Sequence, residues 1–422
     1  MLLGKKNKSL LLLLLLSFLL CPNITFAQNI EEEDVEIDIY EYDTDANVKP
    51  KQSNHKKKRK VQKETWYDRY SQFKSDFQKN TGISYSLDAS ILGQRGAPNG
   101  KGTSWQFQFY PSISWEIYNG EYGTGTINSA YTPTRYWSST SAQDITNNIN
   151  VLSEINDYTT KSNSFDELSY THQFAGNLSW LSFTVGQFPI YNFDGSEYLS
   201  NQQINFINYA LSQNATSSYP TASLGAYFTF TMNPEWQLTF GMQDAHNVNG
   251  TSISSSDFGK GKYTSFVSLS YTPTFLNLGD AQYSLLIFNQ PSVVEQPQTS
   301  NGFSFNWEQS LGDTYAIFGR ISGVKNSPEQ INQTYVLGGV VNNPLGRNAL
   351  DQIGFATALN KANKDVVGDT ARKYETVLET YWAWGIGNYL TITPDIQFYI
   401  KPALDRNQNT ATVASIRTTF MF

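Results

Sequence analysis

The chain holds three histidines, His55, His172 and His246. Each would need a partner before it could do chemistry. Hydrolysis calls for a nucleophile, a base and a group that orients the base. His55 lies in the charge-rich stretch KQSNHKKKRK, and His172, in ELSYTHQF, falls on the apolar face of an alternating segment. His246, in GMQDAHNVNG, has Asp244 beside it but serines only in the following loop. No nucleophile stands against a base, so no catalytic residue is assigned. Three scattered histidines and a lone cysteine, Cys21, offer no metal-ligand spacing, so neither a metal nor a cofactor is expected. A different set does suggest chemistry. Asp88, Glu379, Asp395 and Arg417, and likewise Glu308 and Arg320, occur at every-other-residue spacing among Ser, Thr, Gln and Tyr. Opposite charges facing one another across a narrow passage would order water and polar solutes in a transverse field. The alternative is that they are salt-bridged wall residues that stiffen a sheet. Tyr381, Tyr389 and Tyr399 share the spacing, and a tyrosine ring with its polar tip could stack on the apolar face of a polar solute while bonding its hydroxyls. It could equally fill the interior of the fold.

Such residues need elements that gather one face of the chain together. In YLTITPDIQFYIK, residues 389–401, Leu390, Ile392, Ile396, Phe398 and Ile400 share one face, while Thr391, Asp395, Gln397 and Tyr399 share the other. The split holds over a stretch about twice the usual ~5 to 6 residues of a strand. From Gly82 onward the chain repeats this pattern in sixteen segments: 82–93, 104–118, 122–132, 167–176, 180–188, 223–232, 235–246, 263–272, 281–289, 302–311, 314–323, 333–342, 352–360, 374–384, 389–401 and 411–422. Tight connections such as NPE, LGD and GIGN alternate with long ones, 133–166, 189–222 and 361–373. Short turns on one rim and long loops on the other describe a transmembrane barrel, in which an apolar outer face meets lipid and a polar inner face meets water. A soluble sandwich would alternate too, but with shorter strands and fewer outward aromatics. The fold class expected is therefore all-β, a sixteen-stranded antiparallel transmembrane β-barrel over residues 81–422. Beyond the first 27 residues no apolar run reaches the ~20 residues of a membrane helix.

The segments ahead of the barrel differ in kind. Residues 1–27 read as a signal peptide, with MLLGKKNK, an apolar leucine run and Thr25-Phe26-Ala27 as the cleavage site. Cys21 lies within it, so the mature chain is expected to carry no thiol. The formal net charge is -7, and losing the leader's lysines makes it more negative, which argues against nucleic acid as a partner. Residues 28–65 hold an acidic block and then a basic block, EEEDVEIDIYEYDTD and KPKQSNHKKKRKVQK, expected as a disordered charged tail on the periplasmic side. Trp66, Tyr70, Phe73 and Phe77 then form one stripe of a short amphipathic helix over 66–80.

Several stretches resemble the carbohydrate-selective porins of the OprB family. They are WYDRYSQFKSDFQKNTGISYSLD at 66–88, NFINYALSQNATSSYPTASLGAYF at 205–228, PLGRNALDQIGFA at 344–356, ETVLETYWAWGIGNYLTITPDIQFYIKP at 375–402, and the final IRTTF. The resemblance covers most of residues 66–422; the Thr/Asn-rich loop at 133–166 and the tail depart from it. It implies a porin in the outer membrane of a Gram-negative bacterium that passes sugars and other small hydrophilic solutes by diffusion. The partners it implies are those solutes, outer-membrane lipid and, through Phe422, the barrel-assembly machinery. The oligomeric state is left open. In porins of this architecture the third external loop folds inward, which makes Asp194, Glu197, Asn201, Gln202, Asn205 and Asn208 candidates for the constriction, the alternative being an external cap of ordinary surface polarity. On the wall, Asp395, Arg417 and Glu379 would lie near mid-height with Asp88 beside Arg417, and Glu308 with Arg320 would add a second inward pair. A structural or adhesive barrel, or an outer-membrane lipid hydrolase, are the alternative functions.

Overall fold

In the computed structural model of this chain, residues 33–36, 58–61, 65–99, 102–246, 250–251, 253–276 and 278–422 are described. The expected signal peptide and most of the expected tail fall outside them. Within the tail, Glu33–Glu36 pairs antiparallel with Lys58–Val61, an acidic stretch against a basic one. The chain divides into two compact units, residues 1–72 and 73–422. Helix α1 runs Trp66–Thr81. It opens on a reciprocal cap, in which the Asp68 N–H donates to Thr65 Oγ1 (3.2 Å) and the Thr65 N–H to the Asp68 carboxylate (2.7 Å). It stops at Gly82, where φ is +73° and a Cβ would lie 2.6 Å from the Glu116 carbonyl oxygen. Only glycine takes that turn without strain. Past it, the Phe77 ring meets the edge of Tyr85 at 6.1 Å, while Phe73 stays exposed.

The barrel strands are β1 (Ile83–Ala97), β2 (Ser104–Gly120), β3 (Gly123–Tyr136), β4 (Ser162–Phe174), β5 (Leu181–Phe188), β6 (Ser223–Thr231), β7 (Trp236–Asp244) and β8 (Tyr263–Tyr271). They continue as β9 (Gly279–Gln290), β10 (Ser300–Leu311), β11 (Tyr315–Lys325), β12 (Ile331–Asn342), β13 (Gln352–Ala362), β14 (Tyr374–Ile386), β15 (Leu390–Ile400) and β16 (Thr410–Phe420). Each pairs antiparallel with its sequence neighbour, and β16 closes on β1 with Thr412 opposite Ala97 and Phe420 opposite Ala89. A two-residue piece, Thr274–Phe275, adds to the foot of β9 without becoming a stave. The sixteen-stranded barrel expected from alternation is thus the fold. β4 starts at Ser162 rather than at 167, because a register shift between Ala130 and Thr132 reverses which residues face inward and hides the alternation there.

Closure pairs every strand edge, which is what a sheet crossing hydrocarbon requires. Along β15, Ile396, Phe398 and Ile400 are exposed while Thr391, Thr393, Gln397 and Tyr399 are buried. Aromatic pairs line the short-turn rim: Trp236 on Tyr271 at 4.3 Å, Trp180 on Phe230 at 5.5 Å, and Trp382 against Trp384 at 5.6 Å. Such rings sit well at a bilayer interface, apolar body inward and polar tip toward water. Among the described residues no helix is long and apolar enough to cross a membrane.

The Thr/Asn-rich loop between β3 and β4, a departure from the family resemblance, is packed inside the barrel, with Ile145, Ile149, Val151, Leu152 and Ile155 almost fully buried. The loop between β5 and β6 is buried as well, through Leu199, Phe206, Ile207, Ala210 and Leu211. Their seat is the inner face of β11 to β16, where Ala356, Ala358, Ala362, Ala383 and Ala411 are small enough to leave room. At Gly96 on β1 a Cβ would meet Ile145 Cγ2 at 2.7 Å, so glycine there lets the second loop approach the wall.

Candidate pore constriction

The third loop, 189–222, begins in a single 3-10 turn at Ile190–Phe193 and carries one helical turn, α2 (Tyr209–Ser212), capped by the Asn208 side chain accepting from Ala210 N–H at 3.0 Å. Most of it lacks regular structure, so its peptide groups need partners other than itself. The barrel wall supplies them. Arg417, only 1% exposed, donates from Nη1 to the carbonyls of Gln202 and Asn205, both at 2.6 Å, and from Nη2 to that of Ile204 at 2.7 Å. Thr419 adds a bond to the Gln203 carbonyl at 2.5 Å. Arg320, fully buried, donates to the Leu199 carbonyl at 2.7 Å, to that of Gln213, and to Asn306 Oδ1 at 2.7 Å. The Glu379 carboxylate accepts the backbone N–H of Asn208 at 2.9 Å and also that of Ile207. Cationic side chains thus take the loop's carbonyls and an anionic one takes its N–H groups, a charge-assisted set stronger than neutral bonds.

The second loop is held by the same logic. Glu375 accepts from Leu152 N–H at 2.7 Å and Ser153 N–H at 2.9 Å, and from Ala403 N–H of the last loop at 2.9 Å. Gln94 on β1 donates to the Ile155 carbonyl at 3.1 Å, and Asn156 donates back to Gln94 at 2.7 Å. The two loops also grip each other: Gln202 Oε1 accepts from Asp157 N–H at 2.8 Å, and Ser153 donates to Asn208 Oδ1 at 2.8 Å. Burial pushes the Glu154 carboxyl up to about 7, and burial, opposed by hydrogen bonds from Ser212 and Gln213, pushes Asp157 up to about 7 as well.

Of the loop candidates, Gln202 reaches Gln108 at 2.6 Å and Gln106 at 3.1 Å on β2. Asn205 turns back to the Glu197 carbonyl at 2.6 Å, and Asn201 caps Gln203 N–H at 3.0 Å from a left-handed backbone. Asp194 is buried and accepts from Asn214, Tyr219 and Asn306 at 2.7, 2.8 and 3.2 Å. Glu197 alone of this group is exposed.

The wall candidates are placed differently from the expected ring. Arg417 stands opposite Thr393 on β15 and Leu92 on β1, so Asp88 lies four residues further toward the short-turn rim and is not its neighbour. Asp88 instead accepts from Ser86 Oγ at 3.0 Å, half-buried. Asp395 and Glu379 do sit in the same patch as Arg417, on adjacent strands. Both Asp395 oxygens are buried without a hydrogen-bond donor. Arg320 is opposite Asn306, not Glu308, and its bonds go to Asn306 and the loop; Glu308 faces Phe318 and leaves one buried oxygen unpartnered. The inward tyrosines are covered by protein. Tyr381 packs edge-on against Phe206 at 4.9 Å with Arg417 6.0 Å from its ring centre, and Tyr399 accepts from Asn208 at 2.7 Å. Tyr389 lies at the short-turn rim beside Phe422, at 6.3 Å, rather than within the passage.

Glu375, Gln94 and the whole second loop belong to the constriction without standing out in the strand alternation. A signal existed: NNINVLSEIN places Ile149, Val151, Leu152 and Ile155 among polar residues, and apolar side chains in a loop must pack somewhere. Among the described residues no cluster of His, Cys, Asp and Glu could hold a metal ion.

Comparison with known proteins points the same way. The model of the carbohydrate-selective porin family, OprB family, matches residues 259–422. Porin AaxA of Chlamydia felis (strain Fe/C-56) is 38% identical over 353 residues, which is 81% of this chain and 79% of that protein. Porin AaxA of Chlamydia pneumoniae is 37% identical over 351 residues, 81% of this chain and 79% of that one. Among solved structures, Pseudomonas putida OprB at high pH superposes with a TM-score of 0.70 at 14% identity, covering 84% of this chain and 97% of that one. At such identity the likeness concerns the fold.

Proposed function

The chain belongs to the OprB family of carbohydrate-selective porins, and from that premise we propose that it admits small hydrophilic solutes, carbohydrates among them, by passive diffusion across the outer membrane of a Gram-negative envelope. It is a channel rather than an enzyme. In this orientation the short turns face the periplasm and the long loops face outward. The observation that carries the reading is the third loop, folded into a closed barrel and held there by Arg320, Glu379 and Arg417. A loop fixed inside a barrel narrows the passage without sealing it by a separate domain, which suits sieving by size.

The roles of the candidate residues follow. Arg320, Glu379, Arg417, Tyr381 and Tyr399 position the constriction. Glu197 and Asp88 reach the lumen and give it an acidic character, because the inward cations Arg320 and Arg417 are both buried against loop carbonyls. The passage should therefore favour neutral and cationic solutes over anionic ones. Residues 28–65 would take no part in permeation.

Liposome swelling with the purified mature chain tests this. Glucose should enter faster than larger oligosaccharides, and a salt gradient across a planar bilayer should report cation preference. Proteoliposomes that stay impermeable to glucose and show no channels would leave a structural or adhesive barrel instead.

A further inference from the structure

The barrel's described cations are distributed unevenly. Arg320 and Arg417 lie inside the wall, and Arg347, in a short turn, is paired with the Asp351 carboxylate through Nε at 3.1 Å. The others all sit at the long-loop rim. The opposite rim carries Glu121, Glu235, Asp280 and Asp313 at its turns and strand feet. The long-loop rim holds carboxylates too, Glu295, Asp365 and Asp369 among them, and α1 brings Lys74 to the foot of β1, so what needs a cause is where the long-loop cations cluster on the wall.

The cations are densest on one sector of wall, from β13 through β16 to β1. Lys361 stands opposite Tyr374, near the end of β13. Lys373 extends over the Tyr374 ring, 5.1 Å from its centre. Lys401 follows Ile400 at the end of β15, and Arg95 stands opposite Ala414, two residues from the end of β1. Arg95, Lys373 and Lys401 are exposed, and Lys361 is half-buried. Directly below them lies the outward apolar band, with Leu359, Tyr374, Phe398, Ile400 and Ile416 all exposed. Arg95, Lys361 and Lys373 thus stand where hydrocarbon gives way to headgroups, and Lys401 lies at the same height just past the end of β15, where its left-handed backbone breaks the alternation of the strand. Among the described residues none of the four makes an ion pair. Above them Arg372 and Arg406 donate to backbone carbonyls, Arg372 to Gln408 at 3.2 Å and to Arg406, and Arg406 to Asp369 at 2.9 Å and Ala371 at 3.2 Å. The carboxylates nearby, exposed Asp365 and Asp369 and half-buried Asp405, are in the loop crowns, beyond the strand ends.

We propose that Arg95, Lys361, Lys373 and Lys401 form a docking surface for the phosphate groups of outer-leaflet glycolipid, with acyl chains lying on the apolar band beneath. Unpaired ammonium and guanidinium groups at the hydrocarbon boundary match phosphate in charge and in hydrogen-bond donors. A neutral leaflet would give these side chains no counter-charge. The inference rests on the outer-membrane reading above, which fixes the long-loop rim as the outward one.

The test is native mass spectrometry of the purified mature chain with a synthetic bisphosphorylated glucosamine-disaccharide lipid and with its dephosphorylated form. The phosphorylated lipid should bind about tenfold or more tightly, and the variant Arg95→Gln/Lys361→Gln/Lys373→Gln/Lys401→Gln should lose that preference. Lys361→Arg/Lys373→Arg/Lys401→Arg should keep it. If the fourfold variant fails to fold, Lys373→Gln/Lys401→Gln, whose positions flank the last two long loops, should still weaken the preference. Equal binding of the two lipids, or an unchanged preference in the Gln variants, overturns the proposal. Conductance in bilayers of neutral phosphatidylcholine is measured in parallel. Channels without phosphate-dependent binding remove the docking surface and leave the porin, whereas phosphate-dependent binding without channels removes the porin reading and leaves the surface.

Discussion

The guanidinium of Arg417, on the last strand, donates to the carbonyl of Gln202, in the third loop, across 2.6 Å and 215 residues of chain. That contact decides what the inward charges of this barrel do. A cation that already satisfies three backbone carbonyls is not free to polarise a passing solute; it shapes the passage by holding the loop.

Arg417→Ala should therefore loosen the third loop. It removes charge-assisted bonds to three loop carbonyls, two of them buried, a loss of ~3 kcal/mol or more in local stability. Single-channel conductance should rise and become noisier, and limited proteolysis should cut within 199–213 faster than in the parent. Arg417→Lys should fall between, because one ammonium cannot span the same three acceptors. Conductance and cleavage both unchanged would mean that the loop is held without Arg417.

Glu379→Gln and Glu375→Gln separate the two inserted loops. Each replaces a carboxylate that accepts two or more backbone N–H bonds with an amide that turns one donor toward another, at ~2 kcal/mol. Glu379→Gln should expose the third loop near Ile207 to hydrogen exchange, and Glu375→Gln the second loop near Leu152 together with Ala403. Exchange spreading equally to both loops in either variant would show that the loops move as one body.

The pH response follows from Glu154 and Asp157, both raised to about 7 by burial. An acid with a raised folded value stays protonated in the packed loop while it would ionise in the released one. Its stabilising contribution is complete below the ordinary carboxylate range, near pH 4, and is lost as pH rises through about 7. Water reaches part of each side chain, which moderates the size of the effect but not its sign. Conductance should thus increase between about pH 5 and 8, and Glu154→Gln/Asp157→Asn should flatten the curve. A profile in which conductance falls with rising pH, or one the double variant leaves unchanged, would remove these two groups from the constriction.

How far the sequence could carry the reading depended on period. Alternation in β15 is complete, so its two faces were plain from YLTITPDIQFYIK, and closure followed from the long and short connections. Inward parity was equally legible for Arg417, Asp395 and Glu379. What those residues touch was not, because parity says which way a side chain points and nothing about a loop arriving from another part of the chain. The inner face of β13, Ala356, Ala358 and Ala362, did hold a hint. Small apolar residues on a face meant for water imply that something fills the space before them. Asp88 was misplaced for a simpler reason: the stagger between β16 and β1 is set by pairing that no single strand's pattern reveals.

Cysteine labelling of β15 can measure both faces and the filling at once. Leu390, Ile392, Phe398 and Ile400 point outward, and cysteines there should react with lipid-soluble probes. Thr391, Asp395 and Gln397 point inward, and alternation alone predicts that they react with aqueous reagents. In the folded chain they are 3%, 6% and 0% exposed, and Gln397 is tied to both inserted loops, donating to the Ile155 carbonyl at 2.9 Å and accepting from Asn208 at 3.3 Å. Aqueous labelling at these positions should accordingly be slow, limited by loop movement, and should accelerate in the Arg417→Ala background. Ser84 and Ser86, half-buried near the short-turn rim of β1, give the comparison, because cysteines there should react at once with the same reagent. Fast aqueous labelling at 397 in the parent would show that the loop leaves the wall unaided. Lipid-soluble labelling at 391, 395 and 397 would reverse the two faces and with them the barrel.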